Sequence, residues 1–330
     1  MDEKNYIYIM KGIAIFCVVC AHVFPVSGST NIWNRAVSDY LNYMGTMGVP
    51  IFFILSGYLF GRNKKSFKEF WKRKIKSVFI PWFFCETLLW LYVVLRKGGM
   101  TLKAWLQFLI GYQHTTYYLT VLIIMYLLFW VVKRDWELTA LAAVSIFSMV
   151  STGWDFGISF INKWTGTFYL NPLNWICFFV IGIFICRKDF LTVCVNKAVK
   201  ILPFLILVSV LYFVVSKVVK EEPAYFSKYA LAAHMINILL AFGLAAKVLK
   251  TSGSIKDIMI YTGKISFSIY LLHQFIAGIL VRVTNYFDVF LITLVRPFLV
   301  VFMVTVMIWF VEKICNRSFR FMKVLIGIRE

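Results

Sequence analysis

Lys11 and His22 lie in one apolar run, Lys11-GIAIFCVVCA-His22. Eleven residues turn an α-helix through three turns plus about 20° and advance it by about 16.5 Å. Both side chains therefore share one helix face, about half a bilayer apart. An ionisable side chain inside a span costs on the order of 2.5–3.5 kcal/mol at the bilayer centre, so such a pair needs a reason. A lysine near one end suits a negative group, and a histidine, with an ordinary pKa near neutrality, accepts and returns a proton at working pH. The packing alternative has Lys11 reaching to the interface and His22 satisfied by a hydrogen bond.

Three further groups carry polar chemistry. The connection Arg62-NKKSFKEFWKRKIKS-Val78 holds eight cations and the single anion Glu69. Such a block sets topology and attracts anionic headgroups, yet Arg73 and Lys76, at i and i+3, run directly into Pro81 and a span and can face one polyanion, such as the phosphates of coenzyme A. Gly48-VPIFFILSGYLF-Gly61 places Ser56 and Gly57 where a neighbouring helix or a ligand approaches closely. Ser266, Tyr270 and His273 recur at i, i+4 and i+7 and form one polar stripe, which faces protein or a cavity rather than lipid. His114 precedes a span beside Thr115, Thr116, Tyr117 and Tyr118, where it lines an acceptor entrance or joins an aromatic belt. His234 has Asn237 one turn away as a partner. There is no zinc-site spacing, no phosphate-binding glycine loop and no nucleophile elbow.

The elements that position these groups are membrane helices. Of 330 residues, 61% are hydrophobic and 18% aromatic, beyond what a water-facing surface allows. Apolar runs at 6–27, 43–60, 77–95, 116–132, 138–150, 172–186, 201–216, 229–246, 264–281 and 291–311 predict an all-α, polytopic chain with about ten transmembrane helices. The fifth and sixth runs look short. Residues 100–111 read as an interfacial helix. Lys and Arg number 24 on one set of alternate connections and 9 on the other, which puts both termini in the cytoplasm. The net charge of +20 thus reports topology, and no nucleic-acid-binding module accompanies it. The seven cysteines lie mostly inside apolar runs, so a disulfide framework is not expected, and Cys17 and Cys20 read as packing residues despite their CxxC spacing. Asp2 and Glu3 in the leader, with Lys11 and His22 in the run, argue for a retained first span rather than a signal peptide. No soluble domain is visible, so residues 1–330 read as a single membrane-embedded domain.

Taken in order, these residues resemble the membrane-bound acyltransferase-3 family. A basic residue, ten positions and a histidine match Lys11 and His22, and a GV-x-x-FF-x-x-SG-x-L pattern matches Gly48 to Leu59. A basic pair before proline matches Arg73, Lys76 and Pro81, and a late aromatic-Leu-Leu-His matches Tyr270 to His273. The family commonly carries arginine at the first position. Lys11 lacks that planar fork and serves only as a point charge. The resemblance implies a multi-pass protein of the bacterial plasma membrane that binds no cofactor permanently. It would transfer an acetyl or other short acyl group from cytoplasmic acyl-coenzyme A to a hydroxyl of a cell-surface or lipid-linked glycan. His22 and Lys11 would be catalytic, Arg73, Lys76, Ser56 and Gly57 would bind the donor, Tyr270 and His273 would support the site or the acceptor, and no metal takes part. The competing reading is an exporter or flippase of a glycan or lipid-linked sugar, its polar residues lining a path.

Overall fold

The computed structural model describes residues 1–22, 31–112, 116–154, 167–221, 224–284, 289–314 and 320–328. Helices account for nearly all of them, and there is no strand among the described residues. In chain order they are α1 (Glu3–His22), α2 (Ile32–Gly45), α3 (Gly48–Gly61), α4 (Phe67–Lys74), a π-helical turn (Ile75–Phe79), α5 (Ile80–Lys97), α6 (Leu102–Leu109), α7 (Tyr117–Val131) and α8 (Asp135–Trp154). A 3-10 turn (Pro172–Asn174) leads into α9 (Ile176–Arg187). Then come α10 (Leu191–Lys200), α11 (Leu202–Val218), α12 (Ala230–Lys250), α13 (Ser254–Lys264), α14 (Ser266–Thr284), α15 (Phe290–Ile314) and α16 (Arg320–Leu325).

Where their residues are described, the ten apolar runs fall mainly on helices, residues 23–27 of the first lying outside the described residues. Seven helical stretches among the described residues are long and apolar enough to cross a membrane, or eight if α10 and α11, bent by 74° at their junction, form one span. The apolar helices α7 and α9 are shorter. Surface chemistry agrees with a lipid solvent. Phe298, Phe302, Trp309 and Phe310 on α15 and Leu207, Val214 and Val218 on α11 are exposed, while Asn34, Thr293, Arg296 and His273 are buried. That inverts the pattern of a water-soluble helix bundle.

One sequence expectation needs correction. The fifth run is not short: α8 is continuous from Asp135 to Trp154. Its acidic start is a cap, since the Glu137 carboxylate accepts the Lys133 and Arg134 backbone N–H groups at 3.1 and 3.0 Å, satisfying donors that a helix start leaves open. Its serines, which dilute hydropathy, are used inside: Ser145 Oγ accepts from the Cys177 N–H at 2.8 Å, and Ser148 Oγ donates to Asn174 Oδ1 at 2.7 Å.

Close packing divides the chain into two units: 49–67 with 99–247, and 2–48 with 68–98 and 248–330, Met1 joining the first. In the first unit α3 and α9 meet backbone to backbone. A Cβ on Gly57 would collide with the Phe179 carbonyl, and one on Gly182 with that of Ile54. Gly61 then sits against Cys186 one turn on, where an added Cβ would lie 3.1 Å from Cβ and Sγ. This is the small-residue packing that substitutes for a hydrophobic drive between helices in lipid.

In the second unit α1 is surrounded by α2, α13, α14 and α15. Glycines set three of its approaches. A Cβ on Gly45 would fall 2.6 Å from Ala21, one on Gly48 2.7 Å from the Ala14 carbonyl oxygen, and one on Gly12 2.8 Å from that of Met259. Gly263 answers Gly12 from α13, where a Cβ would strike the Tyr8 carbonyl. The basic stretch is one helical run broken only by the π turn, in which the Ile80 N–H reaches the Ile75 carbonyl. Pro81 explains that turn: proline donates no hydrogen bond and crowds the carbonyl four residues back, and one wider turn removes the clash.

Candidate active site

His22 occupies the last turn of α1. Its Nδ1 lies 2.8 Å from the Val18 carbonyl oxygen. A carbonyl only accepts, so Nδ1 carries the proton and the neutral ring keeps its lone pair on Nε2. Nε2 is buried and has no hydrogen-bond partner among the described residues. The ring is therefore held by its own helix with its basic atom available.

Against it stands His273 of α14, with ring centroids 5.0 Å apart and planes at 82°. His273 is buried, and its Nδ1 lies 2.7 Å from the Tyr270 carbonyl oxygen and 3.2 Å from that of Ile269. The same argument fixes its tautomer, leaving the lone pair on Nε2. The Tyr270 ring is 5.9 Å from that of His273, and Ser266 and Ser268 are buried on the same helix. The stripe thus faces protein, and it brings a second imidazole to the first.

Lys11 lies on the same unbroken helix as His22, half-buried, with its ammonium 5.8 Å from the centroid of the Tyr8 ring. Lys264 puts a second ammonium 5.8 Å from that ring. The cause is the glycine crossing: Lys11 neighbours Gly12, Lys264 neighbours Gly263, and the two backbones touch there. Tyr261 holds α13 to the end of α15 by donating its hydroxyl to Glu312 Oε2 at 3.2 Å. Burial, and then the adjacent carboxylate, push that hydroxyl up to about 12, so it remains a donor. Two cations at one aromatic ring place positive charge beside the N-terminal half of α1, away from His22.

Arg73 lies in the last turn of α4 and Lys76 in the π turn, and both side chains are exposed. The wider turn alters the i, i+3 relation assumed for an α-helix. Ser56 and Gly57 belong to the first unit. Ser56 Oγ shares a hydrogen bond of 3.2 Å with the Tyr118 hydroxyl, and the close neighbour of Gly57 is α9. His114 lies outside the described residues. His234 does not pair with Asn237: its Nε2 donates to the Tyr225 carbonyl at 3.0 Å, while Asn237 Oδ1 accepts from Ser209 Oγ at 2.7 Å.

A half-buried imidazole with its Nε2 lone pair turned into the interior is chemically able to take up a proton. The whole helical core agrees with a known family. The chain matches the acyltransferase-3 family, described as an acyltransferase domain, over residues 4–312. It belongs to that family. No curated protein and no solved structure matches the chain.

The protein is thus a membrane acyltransferase, and sequence reading only partly found the ionisable groups of its second unit. Lys264 was visible only as part of a topology count. Its signal was the adjacent Gly263, a small residue that lets another backbone approach. Glu86 and Arg296, both buried within apolar helices, also carry ionisable chemistry into the interior of the second unit. Arg296 Nε donates to Thr284 Oγ1 at 2.9 Å.

Proposed function

We propose that this acyltransferase moves an acetyl or other short acyl group from cytoplasmic acyl-coenzyme A to a hydroxyl of a cell-surface or lipid-linked glycan. In this reading both termini are cytoplasmic and the ten apolar helices all span the bacterial plasma membrane. The observation that carries it is the His22 imidazole, its tautomer fixed by Val18 and its Nε2 without a partner, on one rigid helix with Lys11. Arg73 and Lys76 hold the donor phosphates at the cytoplasmic face, and Lys11, with Lys264 beside it, attracts the anionic donor to the end of α1. The pantetheine arm then runs toward His22.

At His22 the acceptor oxygen attacks the thioester carbonyl carbon while its proton passes to Nε2. The tetrahedral intermediate collapses with cleavage of the carbon–sulfur bond, and the thiolate takes the proton back from the imidazolium. The same Nε2 lone pair serves the covalent variant, in which it attacks the thioester carbonyl and expels the coenzyme A thiolate, after which the hydroxyl oxygen takes the acyl group, the carbon–nitrogen bond breaks and the hydroxyl proton passes to the thiolate. His273, 5.0 Å away, positions the His22 ring. The test is radiolabelled acetyl-coenzyme A offered to purified protein in detergent. Transfer of label to a glycan hydroxyl, or slow hydrolysis in its absence, is expected. A protein that leaves the thioester intact is a transporter and not this enzyme.

A further inference from the structure

At the ends of α5 and α14 two arginines converge on one phenol. The Tyr92 hydroxyl oxygen accepts from Arg96 Nη1 at 3.3 Å and from Arg282 Nη1 at 2.8 Å, and each guanidinium lies 5.8 Å from the Tyr92 ring centroid. Phe275 packs edge-on against that ring at 5.1 Å. Like charges drawn to one atom repel, and neither guanidinium has a carboxylate partner among the described residues. The helix C-termini offer partial negative charge, which offsets some of the repulsion but uses up none of the remaining N–H donors. With both lone pairs of the phenol oxygen accepting, its own proton points outward as a donor. The cluster therefore presents donors only: two planar guanidinium forks and one hydroxyl. That set fits a phosphate.

Its surroundings say where the phosphate comes from. Leu95 and Val283, each next to one of the arginines, are 83% and 62% exposed. Leu95 precedes Arg96 and Val283 follows Arg282, and exposed apolar side chains beside arginines at two helix ends describe the boundary between acyl chains and headgroups. We propose that Arg96, Arg282 and Tyr92 form a binding site for the phosphate of a membrane lipid. Two lipids offer that chemistry, a bulk anionic phospholipid and a polyprenyl-diphosphate-linked sugar. The second rests on the function proposed above, and it would set the acceptor's diphosphate about 13.5 Å along α14 from His273.

Native mass spectrometry of the purified full-length protein tests this. The protein is held in detergent micelles doped with phosphatidylglycerol, with undecaprenyl diphosphate, or with both. The wild type should retain a phosphate lipid, and R96Q/R282Q should weaken retention by about tenfold or more. Both arginines are exposed, so the variant should fold, as a monodisperse elution profile will report. R96K/R282K should fall between, since lysine keeps the charge but not the fork. Undecaprenyl diphosphate retained against excess phosphatidylglycerol assigns the site to a lipid-linked acceptor. Retention lost to excess phosphatidylglycerol assigns it to bulk lipid. Equal retention by wild type and R96Q/R282Q overturns the site. The readout needs no acyl transfer, so it stands or falls separately from the catalytic reading.

Discussion

Replacing His22 by alanine isolates the imidazole as few substitutions can. The ring's Nδ1 bond goes to the Val18 carbonyl at 2.8 Å, which in an α-helix already accepts the backbone N–H of residue 22. His22→Ala therefore leaves no buried acceptor unsatisfied, and the main structural loss is the ring contact with His273. The catalytic loss is larger. General-base catalysis contributes about 10²–10⁴-fold, which is about 2.7–5.4 kcal/mol of barrier. The assay is single-turnover transfer from labelled acetyl-coenzyme A to a hydroxyl acceptor by protein in detergent, with donor binding measured separately. A drop of that size at unchanged donor affinity is the expected result, with transfer abolished in practice. If the covalent route operates, acid quenching of the wild type traps a protein carrying one acyl group on the peptide that contains residue 22. A folded His22→Ala protein transferring at near wild-type rate refutes the assignment, and His273 becomes the next residue to replace.

Arg73→Gln with Lys76→Gln should raise the donor KM far more than the acceptor KM. The wild-type donor affinity should weaken as salt rises, because exposed charge is screened over about 8 Å at physiological ionic strength; unchanged donor affinity would reduce the pair to a topology signal. Lys11→Arg should keep activity and Lys11→Met should lose it. Lys264→Gln should weaken donor binding, and a double-mutant cycle with Lys11 should show coupling between the two, whereas strict additivity would separate their roles. Gly57→Leu should lower the melting temperature, since overpacking costs about 1–3 kcal/mol and the Phe179 carbonyl cannot yield as a side chain would; unchanged melting would mean that α3 and α9 part easily. A cysteine placed at Lys65 on a cysteine-free background should resist membrane-impermeant labelling from outside, and external labelling would invert the topology.

The apolar runs were legible because bilayer thickness fixes helix length, and the family was legible because its polar residues stand out against lipid-facing sequence. Helix joints were not. Hydropathy does not register the 74° bend between α10 and α11, and it undervalues α8, whose Ser145 and Ser148 are paid back by partners on another segment of the chain. The π turn hides from any reading that assumes α-helical spacing, although Pro81 was its visible cause. The encounter of His22 with His273 is a contact across some 250 residues of chain, and no local pattern encodes it. What local pattern did encode was each partner's type and the face it takes on its own helix.

The glycines decide how rigidly those faces are held. In lipid, apolar side chains gain little by leaving one apolar contact for another, so a helix is fixed chiefly by how closely its backbone is gripped. Helix α1 is gripped at its middle and at its C-terminal end: at Gly12 by the Met259 carbonyl, and at Ala14 and Ala21 by Gly48 and Gly45. It can neither roll nor slide without one of those contacts opening. The Val18 carbonyl then removes the remaining freedom of the His22 ring. His22 and Lys11 are therefore set at a fixed axial separation of about 16.5 Å, which on the function proposed above the donor bridges with an extended arm. On that reading, selection for a long-armed thioester over a short one follows from the packing of a single helix, before any side chain recognises the acyl group itself.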